Sequence, residues 1–170
     1  AGMLWGQLPS VTDYNVRPTA ILAPTGTIDS GQSVIPRLVI RNMSSIVAAP
    51  VNVWFFIDDG TPNGYYDSVM NLTMSERSVD TVEFTGWIPR GRDSMDVSAW
   101  VYWQGDSMHK DDTLRRRILV RVKDIAVTQI VVPAPGDTFD AGAQFQPQCR
   151  VWNYGNVSLN FDVRFRIGEY

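Results

Sequence analysis

The chain has one cysteine and one histidine in 170 residues, and its formal net charge is only −3. Each shortage closes a class of function. The lone Cys149 cannot form an intramolecular disulfide, so no disulfide framework holds this fold. Cys149 and His109 lack the neighbours that activate a nucleophile or a general base. No zinc-ligand spacing, phosphate-binding loop or Gly-x-Ser-x-Gly elbow is present. The chain therefore reads as non-enzymatic, with no cofactor. The mild charge gives nucleic acid no electrostatic handle. No segment approaches the roughly 18 consecutive apolar residues of a membrane-spanning helix, so no membrane span is expected.

Other features bear on location. The chain opens Ala1-Gly2-Met3-Leu4-Trp5, without an initiator Met or a basic-then-apolar leader, as expected of a processed or internal segment. Three sequons, Asn42-Met43-Ser44, Asn71-Leu72-Thr73 and Asn156-Val157-Ser158, fit an exported chain. An extracellular or cell-surface location is the expectation.

Helical periodicity is almost missing too. Short runs of Val, Ile, Phe, Trp and Thr alternate with Gly, Pro, Asn and Asp clusters, the mark of antiparallel β structure. Strands are expected near Val16–Leu22, Ser33–Asn42, Val51–Asp58, Tyr65–Met70, Ser78–Thr85, Ser94–Tyr102 and Leu114–Val122. That count and spacing suit an all-β, Ig-like β-sandwich. Period-two alternation assigns faces. In the last strand it places Ile118, Val120 and Val122 inside and leaves Arg115-Arg116-Arg117 as an edge or solvated feature.

The chain also repeats itself. Ile21 and Pro24 fall on Ile130 and Pro133 at a shift of 109, while Gly31, Pro36 and Asn42 fall on Gly142, Pro147 and Asn153 at a shift of 111. A period near 110 residues suits a whole small domain rather than a solenoid unit. The division expected is an apolar arm over 1–13, a sandwich over 14–122, and the first half of a second copy over 123–170. Lys123-Asp124 joins the copies without a Gly, Ser or Pro-rich spacer, which predicts a stiff tandem array. Cys149 aligns with Leu38 and is expected to be buried like it.

A family resemblance follows from particular residues. Asp124-Ile125-Ala126-Val127, the Ile130-x-x-Pro133 step, Asp140-Ala141-Gly142, Pro147, Asn153-Tyr154-Gly155-Asn156 and Val163-Arg164-Phe165-Arg166-Ile167-Gly168-x-Tyr170 together resemble the CARDB-like Ig-fold repeats of bacterial and archaeal secreted and surface proteins. The first copy departs from that pattern at Met43-Ser44-Ser45 and in an expanded loop after Ile57. The resemblance implies an architectural, spacing or adhesive role.

Candidate sites are few. Asp58 and Asp59, and separately Asp106, Asp111 and Asp112, crowd loops in which oxygen ligands for calcium are conceivable, although solvated turns explain them as well. His109 reads as an exposed loop residue. Trp54 with Phe56, and Trp100 with Tyr102, occupy strand faces opposite other apolar residues, so both faces of two strands are apolar. Such strands imply a second packing partner. The interface expected from this comprises Met3, Leu4, Trp5 and Leu8 of the arm with Trp54, Trp100, Tyr102 and Trp103. The half copy has two explanations: a piece of a longer array, or a half-sandwich completed by a neighbour's strand, with Met3–Val11 as donor. Both lead to a structural or adhesive repeat protein, a filament or surface subunit whose partners are other copies of itself or neighbouring repeats. The alternative is a glycan-binding accessory module of a secreted hydrolase, stacking sugars on Trp87, Trp100 and Trp103.

Overall fold

The structure, a computed structural model, describes residues 14–91 and 93–168. Its strands are β1 (Val16–Ala23), β2 (Thr27–Asp29), β3 (Arg37–Asn42), β4 (Ala48–Asp58), β5 (Tyr65–Met74), β6 (Val79–Glu83), β7 (Asp93–Trp103), β8 (Thr113–Arg121), β9 (Ile125–Val132) and β10 (Gln148–Asn153). A single turn of 3-10 helix, His109–Asp111, interrupts them. The chain divides after Val120 into two compact units.

Unit 1 is an Ig-like β-sandwich. One sheet has the order β1-β3-β6 and the other β2-β8-β7-β4-β5. Alternation decides which side chains enter the core. On β4, Val51, Val53, Phe55 and Ile57 are buried, while Asn52, Trp54 and Phe56 between them point to the opposite face. On β7, Met95, Val97, Ala99, Val101 and Trp103 point inward. Register matches large to small across the ladder, with Phe55 opposite Ala99. The facing sheet supplies Val16, Ile21, Leu38, Ile40 and Val82 to the same core. Phe55 meets Phe84 at 5.0 Å between ring centroids.

Polar groups close the ends of this core. Asn42, fully buried on β3, donates from Nδ2 to the carbonyls of Ile46 and Ser75 and accepts from Ser44 N–H. Asp67 on β5 accepts from the N–H and hydroxyl of Thr85 at 2.7 and 2.9 Å and from Ser68 N–H at 2.7 Å. Partial burial opposes its charge, but these donors outweigh it and hold the carboxyl below its ordinary range.

The structure departs from the sequence reading in three places. The second strand starts at Arg37 rather than Ser33, and Val34 makes only an isolated bridge to Trp87. Pro36, just ahead of the strand, has no N–H to give a ladder. The short β2 carries no periodic signal and was not expected. Strand β8 ends at Arg121, so Val122 is half-buried rather than a core residue. Its N–H is taken by Asn156 Oδ1 at 2.8 Å.

Unit 2 is a hairpin of β9 and β10 followed by an extended segment. Its ladder matches that of β1 and β3 pair for pair. Ile125↔Asn153, Ile130↔Cys149 and Val132↔Gln148 correspond to Val16↔Asn42, Ile21↔Leu38 and Ala23↔Arg37, and both ladders slip at the same two places. The turn after each hairpin is also shared. Asn153 donates to Val157 O at 2.8 Å and accepts from Gly155 N–H at 2.9 Å, the two bonds that Asn42 makes with Ile46 and Ser44. Burial is what differs. Leu38 and Ile21 are 0% and 2% exposed, whereas Ile130 is 52% exposed and Cys149 is half-buried. The expected burial of Cys149 is thus corrected, because among the described residues no further strand of unit 2 packs over the face it lies on. No residue described from 121 to 168 is fully buried.

Two outcomes follow. Leu38→Ala should lower the unfolding free energy of unit 1 by about 2–5 kcal/mol, while Cys149→Ala, its register equivalent, should change monomer stability by less than about 0.5 kcal/mol in urea titrations. For Asp67 the folded-state carboxyl titrates below the ordinary carboxylate value of 3.8, so its stabilisation is present above that pH and is lost as pH falls through the folded value. Asp67→Asn should therefore melt below wild type at pH 7, and the gap should close in acid. A gap independent of pH would refute this role.

Candidate functional site

The arm residues Met3, Leu4, Trp5 and Leu8 lie outside the described residues. Of the remaining interface candidates, the structure brings Trp54, Trp100 and Tyr102 together and separates Trp103. The first three stand on the outer face of the five-stranded sheet. Trp54 lies directly across from Trp100, their rings 6.0 Å apart and 12° from parallel. Tyr102 is 49% exposed on the same face. Trp103 shares a face with Ala99 and Val101 and is buried in the core, edge-on to Tyr14 at 6.1 Å. It is removed from the interface, and the reason is parity: one residue along a strand is the other side of the sheet.

The same correction applies to the sugar-stacking trio of Trp87, Trp100 and Trp103. Trp87 is buried beside Tyr65, with ring centroids 6.4 Å apart, so only Trp100 keeps an outward position. The structure adds Phe56, paired with Tyr66 across β5, to the outer face. Tyr66 contacts Trp100 at 6.3 Å and is 57% exposed. Alternation signals Phe56 at once, but Tyr66 depends on the register of a neighbouring strand.

The acidic loops resolve into turns and a staple. Asp59 accepts from the N–H and hydroxyl of Thr61 and from Trp87 Nε1; burial opposes its charge, yet these donors hold the carboxyl below its ordinary range. Its oxygens are committed to its own bend. In the other loop, ligand atoms of Asp106, His109 and Asp112 all lie within 4.8 Å of one another. Asp106 accepts from Val16 N–H and Met108 N–H, both at 2.7 Å. Asp111 turns instead to Arg17, 3.2 Å away, and to the Asn15 amide. Asp112 meets His109 Nδ1 at 3.0 Å; burial first, and then the nearby Asp106 and Asp111 carboxylates, raise its pKa against the His109 contact. Arg17 pairs with Asp111 and each Asp106 oxygen has a donor, while Asp111 Oδ1 and Asp112 Oδ1 are buried with no hydrogen-bond partner. The arrangement ties the start of β1 to the β7–β8 loop. His109 is exposed, as expected.

A further uncommitted surface belongs to unit 2 and was legible only through the repeat. Val127, Ile130, Cys149 and Val151 occupy the hairpin positions whose counterparts Pro18, Ile21, Leu38 and Ile40 are buried in unit 1. Phe161, Val163, Phe165 and Ile167 alternate with Asp162, Arg164 and Arg166 in the pattern of β4, yet form no strand and stay exposed. Between hairpin and segment lies a slot of about 190 Å³ lined by Val127, Ile130, Cys149, Val163 and Phe165 together with Arg164 and Arg166. That is below the ~300 Å³ of a small-molecule pocket and suits one or two apolar side chains. The outer edge of β10 has no strand beside it among the described residues.

No family model matches the chain, and no curated protein matches it. Among solved structures the chain is similar to the solution structure of a CARDB domain from Pyrococcus furiosus, at 11% identity over 64% of this chain and 94% of that one, with a TM-score of 0.49. The crystal structure of that domain, in complex with di-metal ions, gives 17% identity over 65% and 96% of the two chains and a TM-score of 0.48. A β-glucosidase from Listeria innocua gives 11% identity over 65% of this chain but 16% of the enzyme, with a TM-score of 0.41. The assignment of an Ig-like β-sandwich rests on the strand order and core of unit 1.

Proposed function

We propose that the chain is a non-enzymatic structural or adhesive Ig-like repeat protein of the cell surface or extracellular space. In this reading unit 2 is completed by further β-strands, and where a neighbouring copy supplies them the chain is a filament subunit. One observation carries the reading: unit 2 reproduces the β1–β3 hairpin register while leaving open the face that unit 1 buries. Each apolar side chain of that face gains roughly 1.5–3 kcal/mol on full burial. An added strand beside β10 meets both needs of the half-sandwich, pairing its edge and covering its core side. Unit 1 supplies the template. There β6 runs antiparallel to β3 and sets Val82 opposite Leu38. The equivalent strand in unit 2 would set an apolar residue opposite Cys149. Repeated head to tail, such a contact propagates as a filament.

Light scattering with thiol labelling tests this. Assemblies much larger than the 19.1 kDa chain should form, and Cys149 should react with maleimide far more slowly within them than in the diluted monomer. Ile130→Arg should abolish assembly and leave the unit 1 melt unchanged, since it puts a charge on the face to be covered. A monodisperse monomer at high concentration, with Cys149 freely labelled, would sink the proposal.

A further inference from the structure

The outer face of the five-stranded sheet takes no part in completing unit 2. The ladders of β5, β4, β7 and β8 align its side chains in rows. One row reads Ser68, Trp54, Trp100, Thr113, and the next Tyr66, Phe56, Ser98, Arg115. In the first row an aromatic pair is bracketed by hydroxyls, and in the second two aromatics are followed by a hydroxyl and a cation. Tyr102 extends the aromatic strip opposite Asn52. A shallow groove of about 450 Å³ borders the strip, lined by Asp96, Ser98, Arg115, Arg116 and Arg117. Arg117 is spent on Asp96, with contacts of 2.9 and 3.3 Å. Arg115, opposite Ser98 on this face, pairs with no carboxylate among the described residues, whereas Arg116 sits opposite the buried Val97 with the other parity.

We infer that this face binds an acidic polysaccharide. A sugar ring has apolar C–H faces and a rim of hydroxyls, and the rows offer rings flanked by Ser68, Ser98 and Thr113 to match. The negative faces of Trp and Tyr attract the polarised C–H groups, while the phenol hydroxyls reach the rim. Acidity is called for by Arg115, whose planar guanidinium fork matches a carboxylate. The groove has the volume of one or two sugar rings. A protein partner also favours Trp, Tyr and Arg, but the centre of a protein interface is depleted in Ser, which here interleaves the aromatics. The strands hold every member of the rows on a hydrogen-bonded sheet, so little order is lost on binding.

Isothermal titration of the full chain with tetragalacturonate tests the inference, the control being the same oligosaccharide with its carboxylates methyl-esterified. Binding to the acid form should weaken with salt, and the ester should bind at least about tenfold less tightly. Arg115→Gln should erase the preference for the acid form. Trp100→Ala should cost about tenfold with either ligand, and Tyr102→Ala gives the same readout should Trp100→Ala fail to fold by circular dichroism. Ile130→Arg should bind the sugar as wild type does, which separates this site from the assembly of unit 2. The inference falls if the acid form does not bind, if the ester binds equally, or if binding survives the Arg115 and aromatic substitutions. It also falls if Trp100→Ala abolishes self-association in sugar-free solution, because the face is then a protein interface.

Discussion

A β-strand sends alternate side chains to opposite faces, so a sheet that builds a core also presents a second face. An apolar face left in water forfeits the main driving force of folding. This requirement of cover organises both units. Val53, Phe55 and Ile57 on β4 are covered by Leu38, Ile40 and Val82 from the facing sheet, and unit 1 folds around them. The equivalent face of unit 2 has the same hairpin beneath it but only the strandless segment 161–167 beside it, so its residues remain largely exposed. The same apolar chemistry is covered in one unit and exposed in the other.

Polar contacts play a narrower part. They fix ends and turns rather than supply the core. Asp106 holds the start of β1, Asp67 holds β5 to Thr85, and Asn42 and Asn153 shape equivalent turns after each hairpin. In each case a side chain satisfies backbone groups that the ladders leave over. The chain's own donors occupy Asp59 and both oxygens of Asp106 in this way, although Asp111 Oδ1 and Asp112 Oδ1 stay buried without one. The same pairing explains how the turn survives the change from Met43-Ser44 to Tyr154-Gly155, since the Asn that builds it is present in both copies.

Alternation made most of the sandwich legible. Strands β4, β7 and β8 were placed within a few residues, and Ile118 and Val120 lie inside as their parity demands. Strand β2 escaped because three residues show no period, and the onset of β3 moved because Pro36 cannot join a ladder. The aromatic surface was legible in part. Trp54, Trp100 and Tyr102 share the outer face, but grouping Trp103 with them ignored a parity that the same strand displayed. Tyr66 joins only through its register against Phe56, which no single-strand pattern contains.

By itself the sequence determined that the chain is all-β and that its residues divide between inside and outside with period two. It also determined that residues from Asp124 onward retrace those from Asn15. These are local matters of side-chain type and spacing. Only the tertiary structure decided which apolar residues are covered. Leu38 and Cys149 hold the same place in the same hairpin, yet one is sealed and the other open, because burial depends on strands far away along the chain. Register across β5, β4, β7 and β8 likewise turned separate aromatics, serines and arginines into ordered rows, since neighbours on a sheet face come from four different strands.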